Sequence, residues 1–233
     1  MLQTSLATEL ELAFEKARAL DAPLAERLQL IANTVRGLST EFAEAVDRFV
    51  ARLQDAGAGT GAPKPGEIMP DFLLPDENGH LVSLGEKLAE APQVIVFHRG
   101  HWCPYCRLSI CGLAEIQDEI EPAQIIAISA ERTQFTKLLK TESGARFPLL
   151  TDVGFGYAVS LGLSIVVDDS MASLIAAAGW DVPRYQGVGG WVLPIPGVFV
   201  VGTDGRIIAS HIDADYRRRM ELADIVAAAR AAA

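Results

Sequence analysis

The chain has 233 residues, of which 50% are hydrophobic, and its formal net charge at pH 7 is -10. This charge argues against nucleic acid or an anionic membrane surface as a partner, because both are bound by clustered Lys and Arg side chains. No segment has the ~20 apolar residues of a membrane span. Acidic residues at 9, 11 and 15 interrupt the region where the apolar core of a secretion signal would lie. We therefore expect a cytoplasmic protein with no membrane partner.

The first part of the chain is predicted to be helical. Apolar residues recur at helical spacing over residues 4–56. Pro23 suits the first turn of a second helix, Gly37 ends that helix, and Ser39 is placed to cap a third. Because no catalytic pattern is present, we expect residues 1–57 to form a helical extension that packs on the rest of the protein or on another subunit.

A Gly/Pro-rich linker at residues 58–66 is predicted to separate this extension from a domain at 67–233. The turn from Asp76 to Gly79 predicts a hairpin, since Asn-Gly accepts the positive φ of a tight turn. A second hairpin is predicted at 203–205. Further strands are predicted at 93–97, 124–128 and 147–150, with helices at 104–119, 131–142, 153–161, 169–179 and 218–230. This alternation predicts an α/β sheet with helices on both faces.

Two cysteines, Cys103 and Cys106, lie where the apolar run 93–97 gives way to a helix. Residues three apart on a helix have Cα atoms on the order of 5 Å apart, within disulfide range. Unpaired N–H groups at a helix N-terminus stabilise a thiolate, and active sites of open α/β sheets lie at the carboxyl ends of strands. All three cysteines fall between residues 103 and 111, which is typical of a redox or metal site rather than of a secreted disulfide framework.

Trp102 followed by this CxxC motif resembles the thioredoxin active site. From about residue 64 to 230, the chain resembles a peroxiredoxin of the alkyl hydroperoxide reductase C/thiol-specific antioxidant family. The segments that carry the resemblance are Gly66–Phe72, Asn78-Gly79, Val82–Leu84, Phe147–Asp152 and Leu193–Gly205. The resemblance implies a thioredoxin-like, peroxiredoxin-type sheet flanked by helices, and a homodimer. It also implies a cofactor-free thiol peroxidase that reduces hydrogen peroxide or organic hydroperoxides and is recycled by a thioredoxin-like donor.

The resemblance also assigns roles to individual residues. Cys106 falls at the peroxidatic position, and Cys103 falls where the family has a Thr or Ser that helps to bind peroxide. In the implied cycle, Cys106 attacks the peroxide and Cys103 resolves the resulting sulfenic acid as a disulfide. Arg99 stands in place of a family proline, and Pro194–Pro196 stand where a late arginine is expected. Pro196 resembles the cis-proline that faces the CxxC motif in thioredoxins.

Cys111 is open to two interpretations. Its spacing from Cys106 resembles that of the peroxidatic and resolving cysteines of Q-type, or bacterioferritin-comigratory, peroxiredoxins. Residues five apart on an intact helix point about 140° apart, so the helix would have to unwind before a disulfide forms. The alternative is a small buried hydrophobic residue.

The charged side chains near the motif are also open to more than one interpretation. Arg99, His98 and His101 are each close enough in sequence to lower a thiol pKa, but an exposed arginine and two structural histidines are equally compatible with the pattern. The run Arg217–Arg219 lies among acidic residues and is interpreted as a solvated helix start. We do not assign a zinc site, because structural zinc usually draws its ligands from two separated pairs.

Two further functions stay open at this point. One is a thiol–disulfide oxidoreductase in which Cys103 attacks and Pro196 guides the substrate backbone. The other is a thiol redox sensor that uses the helical N-terminus as its output surface.

Overall fold

The structure, a computed structural model, describes residues 6–233, so the helix start predicted at residue 4 lies outside the described residues. The helices are Leu6–Arg18 (α1), Leu24–Leu38 (α2), Thr40–Asp55 (α3), Leu84–Glu90 (α4), Pro104–Ile116 (α5), Thr133–Ser143 (α6), Gly156–Ser160 (α7), Asp169–Ala177 (α8), Val182–Gln186 (α9) and Leu222–Ala231 (α10). The strands are Leu73–Pro75 (β1), Leu81–Ser83 (β2), Gln93–Phe97 (β3), Gln124–Ser129 (β4), Leu149–Thr151 (β5), Ser164–Val166 (β6), Val192–Pro194 (β7), Gly197–Val201 (β8) and Ile207–Ile212 (β9).

The central sheet has the strand order β5-β4-β3-β8-β9. Strand β3 runs parallel to β4 and antiparallel to β8, and its last residue, Phe97, pairs with both Ile128 and Gly197. Every residue of β3 is buried, which explains its continuous apolar run. The two predicted hairpins are present as β1–β2 and β8–β9. The predicted α/β, thioredoxin-like fold is confirmed.

Helices cover both faces of this sheet. Successive side chains of a strand point to opposite faces, so Val94 and Val96 pack with apolar residues of α5, α6 and α10. Ile95 and Phe97 pack on the other face, against residues of α4 and α7. Strand β3 therefore runs through the middle of the core and ends shortly before the start of α5.

The helical extension packs on α5. Ser39 caps α3 as predicted, because its Oγ accepts a hydrogen bond from the N–H of Phe42 at 3.2 Å. Helices α1 and α2 contact α5, and α3 contacts α8. The buried guanidinium of Arg27 on α2 donates to both carboxylate oxygens of Glu115 on α5, at 2.8 and 2.9 Å. Such a bidentate pair fixes the orientation of two elements as well as their distance.

Several segments differ from their predictions. The predicted linker is ordered, and the N–H of Gly66 donates to the carbonyl of Ile207 at 2.8 Å. The domain boundary at 58–66 stays a prediction. Strands β6 and β7 and helix α9 were not predicted, since each has only three to five residues and lacks a distinct period. The last helix begins at Leu222 rather than at 218, so Arg217–Arg219 lie in the loop before it.

Candidate active site

The candidate site begins in the turn that joins β3 to α5. Cys103 is the N-cap of α5, Pro104 is its first residue, and Cys106 lies in its first turn, as the motif predicts. Gly100 has a φ of 132°, and a Cβ atom there would lie 2.3 Å from the carboxyl carbon of Glu131. Only glycine fits this position, because other residues lack both the conformation and the space.

Both thiols are free and have no exposed surface. Nη2 of Arg99 lies 3.2 Å from Sγ of Cys103, and the backbone N–H of Arg99 donates to Sγ of Cys106 over 3.3 Å. Nη2 of Arg219 lies 3.6 Å from Sγ of Cys106. Each sulfur therefore has a guanidinium group of its own.

The two thiols differ in acidity. Burial opposes ionisation of Cys103, but the hydrogen bond from Cys106 and the Arg99 guanidinium hold the pKa of Cys103 well below its usual range. Burial raises the pKa of Cys106, and the hydrogen bond with Cys103 and its negative charge raise it further. Cys103 is therefore the more acidic thiol of the pair. Arg219 and Arg99 both lower the pKa of Cys106 in part, which eases ionisation of Cys106.

Aromatic rings hold Arg99 in place. Its guanidinium carbon lies 3.6 Å from the ring centroid of Tyr216 and 5.2 Å from that of Trp102. The indole N–H of Trp102 donates to the carbonyl of Arg99 at 3.1 Å. Within residues 6–233, Arg99 makes no ion pair with a carboxylate, so the thiol pair and the aromatic faces are its partners.

His98 is buried and neither ring nitrogen has a hydrogen-bond partner among the described residues. Burial, together with the charge of Arg219, lowers the pKa of His98 to about 3. It is neutral at physiological pH, so the hypothesis that a charge on His98 lowers the thiol pKa is wrong.

Glu131 holds the other histidine and the active-site turn. It is fully buried and accepts from both the backbone N–H and Nδ1 of His101, at 2.7 and 2.6 Å. The imidazole of His101 also stacks on the ring of Phe135, with centroids 4.7 Å apart. These contacts give His101 a structural role at the start of the turn. Sequence reasoning missed Glu131, which lies on the loop after β4 with no motif to mark it.

Pro196 and Cys111 stay less closely tied to the site. In residues 6–233 the cis peptide bond precedes Pro122, and the bond before Pro196 is not cis. The expectation that Pro196 is a cis-proline is therefore wrong. Pro196 lies between β7 and β8, and its peptide bond has the ordinary trans form. Cys111 is buried within an unbroken α5, and burial raises its pKa to about 11. These features favour its interpretation as a buried hydrophobic residue.

The interpretation of Arg217–Arg219 as a solvated helix start is wrong for the helix start, and only Arg218 of the three is exposed to solvent. Arg217 pairs with Asp215 at 2.8 Å and with Asp47 of α3 at 2.7 Å. Arg219 turns inward to Cys106. The sequence contained only an indirect indication of this role for Arg219. The family resemblance places an arginine near residues 194–196, where this chain has none, so an arginine from another part of the chain can occupy that position beside the cysteines.

Residues 6–233 contain neither a candidate membrane span nor a candidate metal site. No helix in this part of the chain is long and apolar enough to cross a membrane. No group of three or more His, Cys, Asp or Glu side chains there is arranged to hold a metal ion.

Comparison with known proteins identifies the family. The profile of the AhpC/TSA family matches residues 65–210. The chain is 30% identical over 92 residues to peroxiredoxin Bcp of Escherichia coli K12, covering 38% of this chain and 58% of Bcp. It is 28% identical over 105 residues to chloroplastic peroxiredoxin Q of Triticum aestivum, covering 44% of this chain and 48% of that protein.

The chain thus aligns with about half the length of these curated relatives. The solved structure of peroxidoxin BcpB from Mycobacterium tuberculosis shares the fold, with a TM-score of 0.55 at 21% identity over 72% of this chain and 97% of that one. Because the family profile matches more than half of the sequence, the chain belongs to the AhpC/TSA family.

Proposed function

We propose that the protein is a thiol-dependent peroxidase that reduces hydrogen peroxide or organic hydroperoxides through Cys103 and Cys106. Family membership supports this reaction class. The observation that carries the proposal is the thiol pair itself, in which two buried sulfurs lie at a helix N-terminus and each faces a guanidinium group. Donors of this kind stabilise both a thiolate and the negative charge that develops on a leaving oxygen.

In the proposed cycle, Cys106 transfers its proton to the Cys103 thiolate and attacks the terminal oxygen of the hydroperoxide. A sulfur–oxygen bond forms as the O–O bond breaks, and the leaving oxygen takes up a proton to become water or an alcohol. The sulfenic acid on Cys106 is then attacked by Cys103, which forms the disulfide and releases water. A dithiol donor of the thioredoxin type returns the disulfide to two thiols.

Two observations support Cys106 as the attacking residue, although Cys103 is the more acidic thiol at rest. The backbone N–H of Arg99 and the guanidinium of Arg219 both point at its sulfur. A cavity of about 20 Å³ lies beside it; its lining is mostly apolar but includes His98, Ser109 and Arg219. Such a volume holds about one water-sized molecule.

A second candidate is a thiol–disulfide oxidoreductase with Cys103 as the attacking thiol. The lowered pKa of Cys103 favours it, because the more acidic thiol is the usual nucleophile in disulfide exchange. The complete burial of both sulfurs argues against it, because a protein disulfide must reach the attacking sulfur in line.

The test is stopped-flow oxidation of the reduced protein by hydrogen peroxide and by cumene hydroperoxide. We expect fast oxidation that Cys106→Ser abolishes, whereas Cys103→Ser is oxidised once and accumulates a sulfenic acid that a dimedone probe traps. Cys111→Ser is the matched control and should behave like wild type. Oxidation that survives Cys106→Ser but not Cys103→Ser would reverse the roles. Reduction of insulin disulfides without reaction toward either peroxide would establish the second candidate.

We also propose a cytoplasmic homodimer. The proposal is supported by the family resemblance for the dimer, and by the composition and clustered cysteines for a reducing compartment. Sedimentation equilibrium of the reduced and the oxidised protein tests the assembly. A monomer in both states would contradict it, and a dimer in only one state would instead favour the redox-sensor alternative.

A further inference from the structure

A large cavity lies between the helical extension and the sheet domain. Its volume is about 620 Å³, within the range of about 300–1,000 Å³ that is typical of sites for small organic ligands. Neither Cys103 nor Cys106 lines it, so it is separate from the place of the proposed peroxide reaction. The family profile begins at residue 65, whereas α2 and α3, which form one wall, end at Leu38 and Asp55. The cavity therefore depends on a part of the chain that lies outside the family profile.

Most of the residues that line this cavity are apolar. Helices α2, α3 and α8 and the active-site turn contribute to the apolar wall, whose prominent members are Leu28, Phe42, Val46, Trp102 and Met171. Transfer of apolar surface from water into such a wall is favourable. The cavity therefore favours a ligand with an apolar body, which can be a chain of methylene groups or a ring system.

The charged residues of the lining have a positive excess, although the net charge of the chain is -10. Five arginines and three aspartates line the cavity. Three of the arginines are paired with the three aspartates, in the ion pairs Arg36–Asp47, Arg217–Asp47, Arg217–Asp215 and Arg218–Asp213. The other two, Arg99 and Arg219, have no carboxylate partner within residues 6–233. A thiolate on Cys103 balances one of these two charges and leaves the other for an anionic ligand.

Two buried nitrogen atoms in the same lining have no hydrogen-bond partner among the described residues. They are Nε of Arg99, whose side chain is buried, and Nε2 of His211. Burial lowers the pKa of His211, and the nearby charge of Arg219 lowers it further, so these three side chains form one polar group. Buried polar atoms are rarely left without a partner, because they have lost their bonds to water. An oxygen atom of a ligand would supply the acceptor that Arg99 lacks.

We propose that this cavity is a binding site for a monocarboxylate with an apolar body, such as a medium-chain fatty acid or an aromatic acid. The carboxylate lies against Arg99 and Arg219, because a planar guanidinium group is matched in shape to a carboxylate and forms strong charge-assisted hydrogen bonds with it. The apolar body fills the chamber under α2 and α3. The inference is independent of the proposed peroxidase function, because it concerns binding alone.

Isothermal titration calorimetry of the full-length reduced protein tests the choice of ligand. Decanoate and 2-naphthoate are the probes, and the tighter of the two shows whether the body is a chain or a ring system. We expect one bound molecule per chain, with a change in the fluorescence of Trp102 and Trp180, which both line the cavity. Acetate lacks the apolar body and decylammonium has the opposite charge. Both should bind about tenfold more weakly or worse, since one hydrogen bond to a charged group has an effect of that order.

Two variants test the position of the ligand. Arg99→Met removes the unpaired donor and should weaken binding of the tighter carboxylate by about tenfold or more, whereas Arg230→Met, at an exposed arginine of α10, should not. Ala32 of α2 is half-buried and lines the cavity, so Ala32→Phe projects a ring into the chamber and should weaken binding to a similar degree. Ala51→Phe is the matched control, because Ala51 of α3 is exposed and lies outside the lining.

Three results would overturn the inference. They are binding of neither carboxylate at concentrations up to about 1 mM, equal binding of decanoate and decylammonium, and carboxylate binding that Arg99→Met and Ala32→Phe both leave unchanged. The titrations contain no peroxide, so each of these results leaves the proposed peroxidase function to its own test.

Discussion

Nη2 of Arg219 lies 3.6 Å from Sγ of Cys106, although 113 positions separate the two residues in the chain. Arg219 stands in the loop before α10, and no strand of the sheet carries it. The guanidinium lowers the pKa of Cys106 against the effects of burial and of Cys103. An arginine from the last part of the chain thus places a positive charge beside the sulfur in the first turn of α5.

The first prediction concerns this contact. Arg219→Met should slow the oxidation of Cys106 by hydrogen peroxide by about 100-fold, since loss of one donor to a developing oxyanion has an effect of that order. Arg219→Lys should recover part of the rate, because it keeps the charge but not the planar donor pair. Stopped-flow kinetics measure the rate, with Arg230→Met as the control at an exposed arginine of α10. An Arg219→Met rate equal to that of wild type would remove Arg219 from the mechanism.

The second prediction concerns Arg99 and the acidity of Cys103. Wild type should retain a thiolate at pH values well below about 8.5, the ordinary thiol pKa, because Arg99 and Cys106 stabilise it. Arg99→Met should move this titration to higher pH. The ultraviolet absorbance of the thiolate reports it, and Cys103→Ser should abolish the low-pH component. If that component persists in Cys103→Ser and vanishes in Cys106→Ser, the resting charge belongs to Cys106.

The third prediction concerns acid stability. The pKa of His98 is lowered from 6.5 to about 3 in the folded state, so the unfolded chain binds the extra proton first as pH falls. The stability that neutral His98 contributes is therefore complete above pH ~6.5 and is lost as pH falls towards ~3. Between pH 7 and 5 this loss should reach about 2 kcal/mol in the free energy of unfolding.

Urea unfolding at both pH values measures that loss. His98→Leu should show a smaller decrease between pH 7 and 5 than wild type, whatever its stability at pH 7. His80→Gln, at a histidine whose side chain is 81% exposed, should keep the wild-type decrease. An unchanged decrease in His98→Leu would mean that another group causes the acid sensitivity.

The fourth prediction concerns the close approach of Gly100 to Glu131. Gly100→Ala should destabilise the protein by about 2 kcal/mol or more, because the added Cβ meets a fully buried carboxylate and the backbone has a φ of 132°. It should also slow peroxide reduction, since the same turn places the first residue of the CxxC motif. Gly189→Ala is the control, because a Cβ at that glycine meets nothing within 4 Å. Thermal unfolding separates the two variants, and equal midpoints would show that the turn can relax.

The features that were predicted correctly are those that neighbouring residues determine. A run of apolar residues defines β3, the Asn-Gly pair defines the first hairpin, and Ser39 caps α3. The position of Cys103 and Cys106 at the start of α5 follows from the same local pattern.

The features that were missed depend on contacts between distant parts of the chain. Glu131 meets His101 across 30 positions, and nothing near Glu131 marks it as a buried acceptor. The run Arg217–Arg219 has acidic neighbours in sequence. The side chains of Arg217 and Arg219 are nevertheless oriented by contacts with Asp47 and Cys106, which are distant in sequence. The short strands β6 and β7 form through mutual pairing, since three residues are too few to show a period.

The ion pair between Arg27 and Glu115 has a consequence for the second half of the proposed cycle. It joins α2 of the helical extension to α5, the helix that carries Cys106. The extension covers this part of the molecule, and both sulfurs are fully buried. A folded dithiol donor must touch the proposed disulfide itself, whereas neither sulfur has exposed surface. Regeneration therefore requires the cover to open or α5 to unwind, so turnover at high peroxide is expected to be limited by that motion. In the proposed cycle, the extension would therefore delay a folded reductant more than a small peroxide.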